Sequence, residues 1–75
     1  MQHYQLPIII EKDKDGYFAS CPGMQGCYTQ GTTYEEAVEN IKDAIQLHLA
    51  DRQADSEEIA QPKSISLSTV DVAIV

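Results

Sequence analysis

Glu11, Asp13 and Asp15, followed by Gly16, have the alternating carboxylate spacing that opens a calcium-binding loop. Such a loop closes with a bidentate Glu six residues after the glycine, and Pro22 stands at that position. Its flanks also read as strands rather than helices, so a solvated hairpin turn is the better reading. Cys21 and Cys27 could ligate zinc or supply a thiolate nucleophile. A structural zinc site needs four ligands, usually from closer cysteine pairs, and nothing in the spacing draws His3 and His48 onto these thiols. A catalytic cysteine needs a depressed pKa and a positioned histidine. The two cysteines sit where a strand wants a small apolar residue, so they read as buried or half-buried thiols, with a disulfide on oxidation as the alternative. His48 reads as a rim histidine that packs its ring. The chain carries no Gly-rich phosphate loop, Walker motif or nucleophile elbow. This inventory yields no catalytic residue, no metal site and no cofactor, and so no enzyme.

Charge says more. Five Lys and Arg oppose twelve Asp and Glu, for a net −7 at pH 7. Residues 34–58 hold eight of the acids against Lys42 and Arg52, a charge of −6, which leaves −1 for the rest of the chain. Phosphate backbones repel such a surface, so direct nucleic-acid binding is disfavoured. The same field steers a basic protein toward the acidic segment, or simply keeps a small protein in solution. The longest apolar run, Ile8-Ile9-Ile10, is far too short to span a bilayer, and Met1-Gln2-His3-Tyr4 lacks the basic start of a signal peptide. With two cysteines and no leader, the cytoplasm is the expected compartment.

The elements that position these residues follow from period and punctuation. The 75 residues, 43% hydrophobic, suffice for one domain spanning residues 1–75, marginal alone and helped by association. Residues 3–11 read as a strand that Pro7 weakens near its start, since proline has no ladder donor. Residues 12–16 form a polar turn with Gly16 free to take positive φ, and Tyr17 to Cys21 form a second strand. After the break at residues 22–26, Cys27 to Gly31 read as a third, giving an antiparallel meander. Thr33 and Glu36 make a T-x-x-E capping box. Tyr34, Ala37, Val38, Ile41, Ala44, Ile45 and Leu49 then recur at helical period, which predicts a helix from about Tyr34 to Arg52. The polar stretch from Gln53 to Lys63 is expected to be mobile. Beyond Pro62 the alternation changes phase between Leu67 and Val70, which predicts a bulge or turn at Ser68-Thr69 and a last strand from Val70 to Val75. The expected fold is α+β, two-layered, in the order βββαβ, with the last strand parallel to its neighbour.

The run from Asp15 to Ala37 carries a D-G-Y strand, a Pro, a Gly-Cys pair opening the next strand, and T-x-E-E-A at the helix start; Asn40, Ile41, Lys42, Ala44 and Ile45 continue it. Together these resemble the HicB-type antitoxin family. The resemblance is densest over residues 4–50 and continues loosely through Ile59 and Pro62 to the last strand. It implies a partial RNase H-like fold without that enzyme's catalytic carboxylates. The implied role is binding a small, basic HicA-type ribonuclease toxin and covering its active site. Two departures stand out. Relatives commonly read P-D/E-L-P-G-C where this chain has Pro22-Gly23-Met24-Gln25-Gly26-Cys27, which implies a looser loop. Many also carry a carboxyl-terminal DNA-binding segment, for which there is no room before Val75, so a short form without operator binding is expected.

The resulting expectation is a protein-binding module, a homodimer or higher homo-oligomer with a HicA-like toxin partner. The alternative is an orphan structural or regulatory homo-oligomer with no toxin. Candidate contacts are the exposed acids Glu35, Glu39 and Asp43 and two apolar anchors, Tyr28 and Leu47. Leu47 lies off the apolar stripe and is either a contact or an isolated surface leucine.

Overall fold

The computed structural model describes residues 3–54 and 64–75. Three strands and one helix follow in order: β1 (Ile9–Asp13), β2 (Gly16–Ser20), β3 (Tyr28–Gly31) and α1 (Tyr34–Ala54). Sheet order is β1-β2-β3, both pairs antiparallel, as the meander reading requires. Asp13 pairs with Gly16, so Lys14-Asp15 make a two-residue hairpin turn. Gly16 takes φ 136° there, and the Asp13 Oδ1 accepts a 2.8 Å bond from the Asp15 N–H. The carboxylate that resembled a calcium ligand therefore organises its own turn.

β1 starts six residues later than expected, at Ile9 instead of His3. Pro7 offers no N–H, so ladder pairing begins only beyond it. The 22–26 loop is not the loose element its sequence implied. Met24 is buried, and backbone bonds from Cys21 N–H to the Cys27 carbonyl (3.1 Å), Met24 N–H to the Cys21 carbonyl (3.0 Å) and Cys27 N–H to the Met24 carbonyl (3.3 Å) close it on itself. A methionine side chain anchored in the core substitutes for a rigid turn sequence.

Period two settles which face of the sheet the helix covers. Ile10, Ala19 and Thr29 lie in register across the strands and share the helix side, where Ala19 is buried. Ile9, Ser20 and Tyr28 form the alternate row and face away. α1 packs chiefly on β3, less on β2 and least on β1. Its closeness to β3 depends on Gly31, where a Cβ would stand 2.6 Å from the Ala37 nitrogen and 3.0 Å from its Cα. Asn40 Nδ2 adds a 2.9 Å bond to the Gln30 carbonyl, pinning the helix to the same strand.

The capping box forms with one change of partner. Thr33 Oγ1 accepts the Glu36 N–H at 3.0 Å, as a helix cap should. The returning Glu36 carboxylate accepts from the N–H and hydroxyl of Thr32, both at 3.1 Å, rather than from Thr33.

The core is small: Ala19, Cys21, Met24, Cys27, Ala37 and Ile41 are buried, while Leu6, Ile8, Ile10, Ala44, Ile45 and Leu49 are only partly covered. The coverage thins toward β1. Val70 to Val75 do not form the expected fourth strand. Residues 64–75 have no ladder partner among the described residues, and Leu67, Val70, Val72 and Ile74 are exposed. A strand is stable only against a neighbour, and here the sequence period is present without one. The observed order is thus βββα. The expected mobility of the polar segment, and the matches at Ile59 and Pro62, lie outside the described residues.

Candidate functional site

The helix is polar on one side because its apolar residues are spent on the other. Around Ile41, the residues Ala37, Ala44 and Ile45 turn toward the sheet, which leaves positions 35, 39, 43 and 47 on the back. Steps of four residues place side chains one above another along a helix. Glu35, Glu39 and Asp43 therefore form a single carboxylate row, closed by Leu47, whose side chain is 72% exposed. Four of the five residues expected to meet a partner share one surface.

Tyr28 does not. It is equally exposed, at 72%, but it stands on the sheet face turned away from the helix, paired with Ser20 and diagonal to Phe18. The two-layer architecture puts Tyr28 and the helix row on opposite sides of the molecule. Sequence reasoning could not separate them, because it left open which sheet face the helix covers.

A third surface was missed altogether. A cleft of about 440 Å³ opens between α1 and the segment leading into β1, lined by His3, Tyr4, Leu6, Ile8, Val38, Ile41, Lys42, Ile45, Gln46 and Leu49. The signal for it was present: the apolar stripe of α1 is longer than three short strands can cover. His48, half-buried, sits beside that stripe as a rim residue.

The remaining candidate chemistry is quiet. Cys21 and Cys27 are both buried free thiols. Burial pushes the Cys27 thiol up from its ordinary value, and the neighbouring Cys21 adds to this. A raised pKa means less thiolate and a poor nucleophile. Among the described residues, no group of three or more His, Cys, Asp or Glu could hold a metal ion. At the hairpin end of the sheet, Tyr34 meets Tyr17 edge-to-face at 6.3 Å, and Lys12 Nζ lies 5.5 Å from the Tyr17 ring centre. These contacts brace the hairpin against the helix start. No helix among the described residues is long and apolar enough to cross a membrane.

The described residues thus form a small α+β scaffold with its acidic residues displayed outward on the helix back. The comparison with known proteins goes further. Residues 6–72 match the family described as the HicB-like antitoxin of bacterial toxin–antitoxin systems, and the chain belongs to that family. A UPF0150 protein of Helicobacter pylori is 45% identical over 68 residues, covering 91% of this chain and 94% of its own. A UPF0150 protein of Synechocystis is 41% identical over 59 residues, covering 77% and 75%. Antitoxin HicB 1 of Photorhabdus laumondii is 32% identical over 75 residues, 99% of this chain but 48% of that longer protein. No solved structure matches. The family is one of antitoxins, and this chain is not an enzyme.

Proposed function

We propose that the chain neutralises a small basic ribonuclease toxin of the HicA type in the cytoplasm, binding it directly and covering its active site. The observation that carries this reading is the row Glu35, Glu39, Asp43 and Leu47 on the exposed back of α1. An enzyme that grips RNA needs a cationic surface, and a line of carboxylates matches such a surface in sign and shape. Leu47, at the end of the row, supplies the apolar anchor that exposed charge pairs lack. The antiparallel meander under one helix fits the partial RNase H-like arrangement, used here as a scaffold and not as a nuclease. Tyr28, on the opposite face, serves a separate contact.

The test is co-expression with the adjacent reading frame, followed by pull-down and an RNA-cleavage assay. A small basic protein that co-purifies and loses its ribonuclease activity in the complex is the expected result. An adjacent frame encoding no such protein, or a toxin that stays active when bound, overturns the reading. The second reading, an orphan homo-oligomer without a toxin, is favoured by one feature: the exposed apolar residues of the 64–75 segment. It requires self-association with no toxin in any pull-down.

A further inference from the structure

The register of β2 and β3 continues beyond its last ladder pair, Ser20 with Tyr28. One step further, Cys21 stands opposite Cys27, and its N–H donates to the Cys27 carbonyl at 3.1 Å. Period two puts both side chains on the helix side of the sheet with Ala19 and Thr29. Both are buried, at 2% and 3% exposure, as free thiols. Two sulfurs therefore enter one core from directly opposed backbone positions. Opposed residues of a hydrogen-bonded antiparallel pair lie about 5.5 Å apart at Cα, inside the roughly 4.4–6.8 Å that a disulfide spans. Burial, and then the charge of Cys21, raise the pKa of the Cys27 thiol, so the two groups are close enough to interact. We propose that Cys21 and Cys27 form a reversible dithiol–disulfide couple in the folded chain, an oxidation site whose oxidant is a small disulfide of the glutathione class.

The chemistry balances on these two residues and one oxidant. One cysteine thiolate attacks a sulfur of the oxidant, whose S–S bond breaks and releases a thiolate that takes up a proton. The second cysteine, deprotonated in turn, attacks the protein sulfur of the mixed disulfide and expels the other half of the oxidant. Two electrons pass from the protein to the oxidant, and the two thiol protons end on the two released thiols. Burial makes the first step slow. It waits on opening of the 22–26 loop, which the backbone bonds among Cys21, Met24 and Cys27 hold shut. The second step is short-range, because its attacking sulfur already stands opposite.

Geometry also decides reversibility. The β-carbons of a hydrogen-bonded pair sit at the wide end of roughly 4.5–5.5 Å, whereas a disulfide draws them to about 3.8 Å. Closing the bond pulls the two strand ends inward, and a disulfide under such strain is readily reduced. A labile bond of this kind suits a reducing compartment, where disulfides are transient. The couple lies beneath the helix and leaves the helix back free, so it does not depend on the toxin reading.

The full chain, kept native, should be equilibrated in buffers of graded reduced-to-oxidised glutathione ratio, then quenched, alkylated in denaturant and weighed intact. Both free thiols should disappear together, leaving a single chain about 2 Da lighter than the reduced one, for the two hydrogens lost. The helical circular-dichroism signal should persist, and excess reduced glutathione should restore both thiols. Two thiols still free in oxidised glutathione alone would overturn the proposal. So would a chain that stops at the glutathione adduct, or cross-links between chains on a non-reducing gel. A disulfide that forms in urea but not in the native chain would show that the folded pairing does not carry it. One that excess reduced glutathione fails to open would refute the reversible couple.

Discussion

At the scale of single residues, the fold turns on two positions whose importance is spatial. Gly31 reads in sequence as the end of a strand, but it is where the helix backbone meets the sheet. A methyl group there would meet the Ala37 nitrogen at 2.6 Å, backbone that cannot swing aside. Gly31→Ala is therefore expected to lower stability by about 1–3 kcal/mol, the usual range for overpacking, as read from urea denaturation. Cys27 is the second. Its thiol is pushed above the ordinary value of 9.0 by burial and then by Cys21, so the folded chain holds this proton more tightly than the unfolded one. The stabilisation is fully present below the unfolded pKa and is lost as pH rises through the folded one. Unfolding free energy measured from pH 8 upward should thus fall with a component that Cys27→Ala removes. In the folded protein both thiols should react slowly with a disulfide reagent and become fast in denaturant. The burial of Cys27 was legible from its place where a strand wants a small apolar residue, whereas the role of Gly31 was not, because a glycine's neighbours are a property of the assembled layers.

At the scale of elements, what was legible is what local chemistry specifies. The helix start was read from Thr33 and Glu36, and the Thr33 Oγ1 bond to the Glu36 N–H confirms the assignment. β2 and β3 were found within a residue of their ends, since glycine and proline bracket them. The failures are both non-local. β1 begins only where pairing with β2 becomes possible, past Pro7. The segment Val70–Val75 has the alternation of a strand but no partner strand among the described residues. Period announces an ability to pair, and it cannot say with which chain. The cap gives the element-scale prediction. Thr33→Ala should cost about 1 kcal/mol and leave the Glu36 contacts to Thr32 in place. Thermal melts followed by the helical signal would report it. Removing Glu36 as well should cost more than either change alone, because the two caps satisfy different backbone donors.

At the scale of the whole molecule, the two outward surfaces predict different responses to salt. Net charge is −7, and α1 carries five of the twelve acids against Lys42 and Arg52, three of the five on its exposed back, so a basic partner is drawn from a distance and oriented toward the helix back. Attraction of this kind acts mainly on association rate and is screened, with a Debye length of about 10 Å at 0.1 M salt and 3 Å at 1 M. Leu47 acts at contact, through burial, which salt does not weaken. Reversing the row with Glu35→Lys, Glu39→Lys and Asp43→Lys should cut toxin affinity roughly 10- to 100-fold at low salt, as each exposed pair contributes about 0–1 kcal/mol and reversal replaces attraction with repulsion. Most of that loss should vanish at 1 M salt. Leu47→Ala should instead weaken binding about tenfold or more at either salt concentration, as an anchor residue does. Tyr28→Ala, on the opposite layer, should change neither. Titration calorimetry across the two salt concentrations separates these outcomes. A Tyr28 effect as large as that of Leu47 would move the toxin contact to the sheet face.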